Sequence, residues 1–357
     1  MEYYFLFFII AVLALYEYSH PKAKMDKTFW VMSIILVVFA GTRKDIGTDY
    51  NIYTHVFGLS KESIELALIE TEAYFVLPAH YLDNIHYVFF LYAIPSVLII
   101  CNEINKEKYK FLVLLLFYSF TYLFYDMGIM RQGLALSICI FSLRYIKRKK
   151  LGIFIIIILS STLIIHRTCF VFFPMYWIAN INFTRKKFYI LLVLSLIFGI
   201  TFQVRWVAEI LSFLPNIFQK TINTITDTSY SDSSFGLTEC RKIVLSIFFF
   251  ELLYNKHISS REKIFLNMYL VGVFLSLLLI NHLTMKSRGT YYYCISEIFI
   301  IPLCIKYIKT RIYRNVFVFI FVLYGLLYVK NIIREQEYYE WQNLPYEPYN
   351  SIIYNTN

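Results

Sequence analysis

The chain has 357 residues, 59% of them hydrophobic and 20% aromatic, and only 16% are Asp, Glu, Lys or Arg. Ordinary soluble domains carry about 25% charged residues, so this chain is too poor in charge to give a globule of its size a solvated skin. That excludes a soluble enzyme, a disordered scaffold and a disulfide-rich secreted module, and it places the net charge of +10 within a membrane protein.

A helix needs about 20 apolar residues to cross the hydrocarbon core of a bilayer. In chain order, the apolar runs predict spans near 3–19, 28–42, 86–104, 111–125, 128–146, 151–165, 168–182, 188–206, 238–254, 264–281, 290–308 and 315–333. The runs are continuous rather than alternating, which excludes a barrel. The first lacks a basic n-region and a small-residue cleavage site, so it reads as a retained helix. The expected fold is all-α: a single transmembrane domain of about twelve helices. Its external segments are 43–85, 207–237 and 334–357.

Charge placement sets the orientation. Basic loops at Lys22–Lys27, Lys106–Lys110, Arg144–Lys150, Arg185–Lys187, Lys256–Lys263 and Lys306–Arg314 hold 21 of the 34 Lys and Arg. They alternate with the other loops, so the positive-inside rule puts them in the cytoplasm and both termini outside. The acidic residues Glu335, Glu337, Glu340 and Glu347 fit the outer side. Residues 62–83 are semi-apolar and must stay outside as an amphipathic or re-entrant helix. The six cysteines are scattered and show no metal-ligand spacing or disulfide frame. No Walker, GxGxxG or HExxH motif and no clear internal repeat is present. Bases confined to short loops between spans argue against nucleic acid as a partner.

The remaining cations lie against the rule, on the outer side: Arg43, Lys44, Arg131, His166, Arg167, Arg205, Arg241, Lys242, Lys286 and Arg288 among them. Snorkelling to headgroups accounts for such residues singly. Four local contexts stand out. In Gly41–Tyr53, Gly47 permits a sharp turn close to a ligand or helix, and Arg43 offers a planar donor fork suited to phosphate. Asp49 and Tyr53 fall one helical turn apart, where a carboxylate beside phenols could hold sugar hydroxyls or act as a base. The plainer alternative is an Asp N-cap with interfacial tyrosines. In Asp126–Ala135, Arg131 sits at the bilayer boundary among small residues; the plainer alternative is an Arg131–Asp126 pair. His166-Arg167 occupies an outer turn, where a lone His is ordinarily a surface residue. In Lys286–Tyr293, Arg288 and Tyr292 are one turn apart, within what could be a Tyr belt. Glu297 lies one turn below Tyr293 inside the membrane; it is a functional candidate, or a neutral group bonded to a neighbouring helix. Several arginines on one face, with a carboxylate, a His and many tyrosines, fit a lipid-pyrophosphate-linked sugar.

At these residues the chain resembles a known family. Arg43-x-x-x-Gly47-x-Asp49-Tyr50-x-x-Tyr53, a following Glu (Glu70 or Glu72), Met130-Arg131-Gln132-Gly133, His166, Arg288 before a tyrosine-rich helix and Pro345-Tyr346 are similar, in order, to the EpsG-like branch of Wzy-type polysaccharide polymerases. The resemblance implies a glycosyltransferase-C-like membrane enzyme without a metal or other cofactor. Such an enzyme moves a glycan from undecaprenyl pyrophosphate onto a second lipid-linked repeat, at the outer face of the bacterial cytoplasmic membrane. It implies Arg43, Arg131 and Arg288 as pyrophosphate ligands and Asp49 or His166 as the base. Tyr50, Tyr53, Gln132 and Tyr292 would contact glycan or hold structure. A chain-length regulator is an implied partner beside membrane lipid. An O-antigen ligase or another lipid-linked glycan transferase shares these substrates. A flippase would need a polar path open to both sides, whereas the polar residues here crowd one side. A membrane acyltransferase would want a deep His and a cytosolic donor site.

Overall fold

The computed structural model describes residues 1–201, 235–283, 285–335 and 346–353. Arg205, Glu337, Glu340, Pro345 and most of the expected external segment 207–237 lie outside the described residues. The described part is all-α, apart from an isolated antiparallel bridge between Arg43 and Ser351.

The first helices are α1 Glu2–Ser19, α2 Asp26–Gly41, α3 Tyr50–Glu62, α4 Ile64–Glu70, α5 Ala73–Tyr81, α6 Ile85–Ile104 and α7 Lys110–Phe117. A π-helical stretch, Tyr118–Asp126, continues α7. Then come α8 Met130–Lys147, α9 Leu151–Ile164, α10 Met175–Ile178 and α11 Arg185–Thr201. The later helices are α12 Leu237–Leu253, α13 Ser260–Leu278, α14 Tyr291–Cys294, α15 Glu297–Tyr307 and α16 Arg311–Glu335. At least three helices are long and apolar enough to cross a membrane: Glu2–Ser19, Ile85–Ile104 and Arg311–Arg334.

Their two faces explain why water is not their solvent. α1 buries Tyr3, Phe7, Ile10 and Ala14 at helical spacing, yet exposes Phe5, Phe8, Val12 and Leu15 on the other side. α16 exposes Val316, Phe319, Ile320, Leu323 and Leu327. A helix apolar all round with one face bare is stable against hydrocarbon, not against water.

The chain divides into two compact units, Met1–Phe170 with Ile301–Asn357, and Val171–Ile300. In the first, α6 packs between α2 and α8, and α1 packs on α7 and α16. Every residue of α7 is buried, so this helix and its π continuation form the centre of that unit. In the second, α13 is flanked by α11, α12 and α14, and Phe188 stacks on Phe250 at 4.2 Å.

Three predicted spans differ in detail. Residues 168–182 are not one helix but a 3-10 turn, Arg167–Phe172, followed by the four-residue α10. Pro174 explains the break, because it lacks an N–H and restrains the residue before it. In the second unit, Asn267 Nδ2 donates to carbonyls at the end of the broken segment: Ile178 (3.3 Å), Ala179 (3.1 Å) and Ile181 (2.8 Å). Residues 111–125 pass from α- to π-helix. Residues 290–308 are split into α14 and α15 near Ser296, whose hydroxyl donates to the Tyr293 carbonyl at 2.7 Å. Residues 62–83 fold mainly as α4 and α5, of 7 and 9 residues, each too short to cross a bilayer.

Candidate functional site

α2 ends at Gly41, and the chain must turn to start α3. Gly47 makes that turn with φ of 109°, and a Cβ there would lie 2.6 Å from the Met127 carbonyl oxygen. Glycine is required on both counts. The turn leaves Arg43 against the ends of α2, α6 and α8 with 1% of its surface exposed. Nη1 donates to the Ala40 carbonyl at 2.6 Å and Nη2 to the Met130 sulfur at 3.3 Å. The guanidinium carbon stands 4.4 Å from the Phe89 ring centroid. Nε has no partner, and among the described residues no carboxylate lies within ion-pair distance. A thioether is a weak acceptor. Arg43 is therefore a buried cation without a counter-ion, a costly arrangement unless an anion arrives.

Arg131 has the opposite character. At the start of α8, its Nη1 donates to Glu72 Oε2 at 2.6 Å and also to the Thr71 hydroxyl. The Thr71 hydroxyl in turn donates to Glu72 Oε2 at 3.1 Å. The other Glu72 oxygen accepts the Arg167 amide at 3.2 Å, with Arg167 Nε at 3.9 Å. Glu72 thus ties the α4–α5 junction to α8 and to the turn after α9. Burial alone would raise its carboxyl; the Arg131 charge, with the Arg167 amide, outweighs this and holds it below the usual carboxylate range. A depressed folded-state pKa stabilises the fold above the ordinary value of 4.5, and that stability is lost as pH falls through the lowered value. The thermal midpoint should therefore drop on acidification below that point. Glu72→Gln should flatten this component and cost about 3–5 kcal/mol at neutral pH by stranding Arg131; chemical denaturation across pH measures both.

Asp49 precedes α3, but its side chain does not cap the helix. It is 5% exposed, and its charge acts on both Tyr53 and Arg131. Burial, then the Asp49 charge, pushes the Tyr53 phenol up to about 12. Tyr53 lies beneath the Arg131 guanidinium at 5.6 Å and stacks on Phe75 at 5.4 Å. Tyr50 packs edge-on against Phe89 at 5.6 Å. Gln132 is fully buried on α8.

His166 is 8% exposed. Its Nδ1 faces the Thr168 hydroxyl at 2.7 Å and accepts the Thr168 amide N–H at 3.2 Å. An amide can only donate, so the neutral ring carries its proton on Nε2.

The first unit thus brings together Arg43, Asp49, Tyr50, Tyr53, Arg131, Gln132 and His166. Arg288 and Tyr292 belong to the second unit. There Arg288 is half-buried in the π-turn Met285–Gly289, and Tyr292 is fully buried on α14. In that unit Arg241 pairs with Glu297, and Lys286 with Glu239 at 3.1 Å, so Glu297 meets a guanidinium from α12. The Arg131–Asp126 pair does not form, because Arg131 turns to Glu72. Asp126 instead accepts from the Ser96 hydroxyl, and its Oδ2 has no partner. Sequence reasoning left Glu72 undistinguished from Glu70. Burial separates them: Glu70 is 45% exposed beside His55, and Glu72 is 7% exposed. Among the described residues, no group of three or more His, Cys, Asp or Glu could hold a metal.

The sequence model of the EpsG family matches residues 26–351. No curated protein and no solved structure matches the chain.

Proposed function

The chain belongs to the EpsG family, within the Wzy-type polysaccharide polymerases, and from that premise we propose that it polymerises lipid-linked glycan repeats. The observation that carries the reading beyond the family is Arg43, a buried guanidinium with no counter-ion and a free Nε. A pyrophosphate supplies the missing anion, and the fork is its natural ligand.

In this reading the pyrophosphate of an undecaprenyl-linked glycan seats on Arg43, with Arg131 alongside. Arg288, on the second unit, is also proposed as a pyrophosphate ligand. Asp49 removes the proton from the acceptor hydroxyl. The hydroxyl oxygen bonds to the anomeric carbon of the donor, whose bond to the phosphate oxygen breaks. Undecaprenyl pyrophosphate leaves, and the side-chain cations hold the charge that grows on it. His166 is a donor through Nε2–H, since Nδ1 is occupied by Thr168. Tyr50, Tyr53 and Gln132 contact the glycan or hold structure in the first unit, and Tyr292 does the same in the second. The proposal includes a glycosyltransferase-C-like fold of about twelve crossings, cytoplasmic basic loops, and a site at the outer face of the bacterial cytoplasmic membrane. A chain-length regulator is a proposed partner.

The test is reconstitution. Purified protein with synthetic undecaprenyl-pyrophosphate repeats should build a ladder of products. Movement of unaltered repeats across the vesicle without a ladder would mean a flippase, and transfer only to a different acceptor would mean a ligase. Orientation is tested by a cysteine at the exposed Ser259, which should resist a membrane-impermeant thiol reagent in intact cells.

A further inference from the structure

The late segment, residues 346–353, is built into the first unit at the point where Arg43 emerges. Arg43 and Ser351 face each other as an antiparallel pair. Lys44 N–H donates to the Asn350 carbonyl and Ile352 N–H to the Thr42 carbonyl, both at 3.0 Å. Tyr346 is fully buried, and its hydroxyl donates to the Leu123 carbonyl at 2.6 Å, inside the π-helical stretch. A Cβ on Gly128 would lie 2.9 Å from that hydroxyl oxygen, so the stretch after the π-helix is shaped to admit the ring. Tyr349 stacks on Phe39 at 4.1 Å, with planes 7° apart, and its hydroxyl donates to the Phe39 carbonyl at 2.9 Å. Tyr3 meets both tyrosine rings edge-on, at 5.8 and 5.6 Å.

These contacts fasten the backbone on either side of Arg43 without touching its charge. The Arg43 guanidinium donates to a carbonyl and a thioether and lies over an aromatic face, with the phenols of Tyr53, Tyr346, Tyr122 and Tyr50 in its surroundings. Besides these bonds, the Thr42 N–H closes α2 on the Val38 carbonyl at 2.9 Å. Tyr346 also acts electrostatically on Arg43 and Asp49, so it stands close to both groups of the site. A phosphate ligand must be held within a fraction of an ångström, by neighbours that lock its backbone and rotamer.

We infer that residues 346–353 form a strap belonging to the phosphate site, with Tyr346 a positioning residue that acts through Arg43. This rests on the reading of Arg43 as the anion ligand. The strap stays docked through turnover: the guanidinium fork exchanges Met130 for a phosphate oxygen by moving its own side chain, while residues 42–44 remain fixed.

The experiment uses full-length protein and two readouts: affinity for undecaprenyl pyrophosphate and ladder formation. Tyr346→Ala should lower affinity, and kcat/KM by about 10²-fold, as expected of a slightly misplaced ligand. Tyr346→Phe keeps the ring and loses only the hydroxyl bond, and should fall between Tyr346→Ala and wild type. It also serves if Tyr346→Ala does not fold. In the Arg43→Met background, either Tyr346 substitution should weaken affinity no further, because its effect passes through Arg43. A disulfide between Lys44→Cys and Asn350→Cys should leave turnover intact and restore affinity to Tyr346→Ala. Additive losses in the double variant would overturn the inference, as would turnover blocked by the disulfide and recovered on reduction, which would make the strap a lid. If Arg43→Met alone leaves affinity unchanged, the reading of Arg43 fails. If Arg43→Met abolishes binding while the Tyr346 variants bind as wild type, only the strap inference fails.

Discussion

Arg43→Met is expected to abolish polymer formation, read as a product ladder, and to leave the protein at least as resistant to heat as the wild type. The two halves of this result have one cause. Removing one partner of a buried ion pair ordinarily destabilises by several kcal/mol, because it strands the other charge. Arg43→Met leaves no ion-pair partner behind, since among the described residues no carboxylate lies within ion-pair distance of the guanidinium. Methionine fills most of the same volume beside Phe89 and Met130, and removes a buried charge whose Nε is unsatisfied. Stability should hold or rise while function is lost, the trade-off expected where a site keeps strain for its ligand. Loss of a positioned donor to developing charge costs about 10²–10³-fold in rate, and loss of the pyrophosphate anchor adds to that. In cells, single lipid-linked repeats accumulate. Arg43→Lys recovers little, because an ammonium offers a point charge where the site is shaped for a fork. Arg131→Met behaves differently, losing both activity and stability, because Glu72 is then stranded.

Asp49→Asn should lower kcat by about 10²–10⁴-fold, the usual contribution of a positioned general base, with little change in lipid-pyrophosphate affinity. The asparagine preserves shape and removes the lone pair that takes the proton. Its carboxylate is not committed to capping α3, and it interacts electrostatically with Arg131. His166→Gln should cost less in kcat, since the Nδ1 lone pair already accepts the Thr168 amide and the ring can only donate through Nε2. Single-turnover rates, separated from affinity, distinguish the two. An Asp49→Asn enzyme with a near-normal single-turnover rate, beside an inert His166→Gln enzyme, would reverse the assignment.

Much of the fold was legible because the hydrophobic runs are continuous and their breaks carry signals. Pro174 is such a signal, although the apolar run 168–182 reads through it as one span. The π-helical stretch carried no such mark: a one-residue widening inside a run that is apolar on every face leaves the hydropathy pattern unchanged. The residues of the candidate site could be picked out where polar groups stand out against apolar neighbours and a rule of placement, as at Arg43, Asp49, Arg131 and His166. Gly47 was legible for the same reason, as a residue whose backbone freedom a turn needs. What could not be read was pairing at long range. Glu72 meets Arg131 across 59 positions, and Arg241 meets Glu297 across 56. The Arg43–Ser351 bridge joins segments that nothing local connects. Each is settled by packing, which a single sequence does not print.

The central claim is that Arg43 is a cation kept buried and unpaired for a lipid-linked pyrophosphate. Its most direct test is the equilibrium affinity of purified wild type and Arg43→Met for undecaprenyl pyrophosphate in the same detergent, with undecaprenol as the uncharged control. The account predicts that wild type binds the pyrophosphate far more tightly than the alcohol, and that Arg43→Met removes most of that difference while remaining folded. An Arg43→Met protein that keeps the full preference for the pyrophosphate would contradict it.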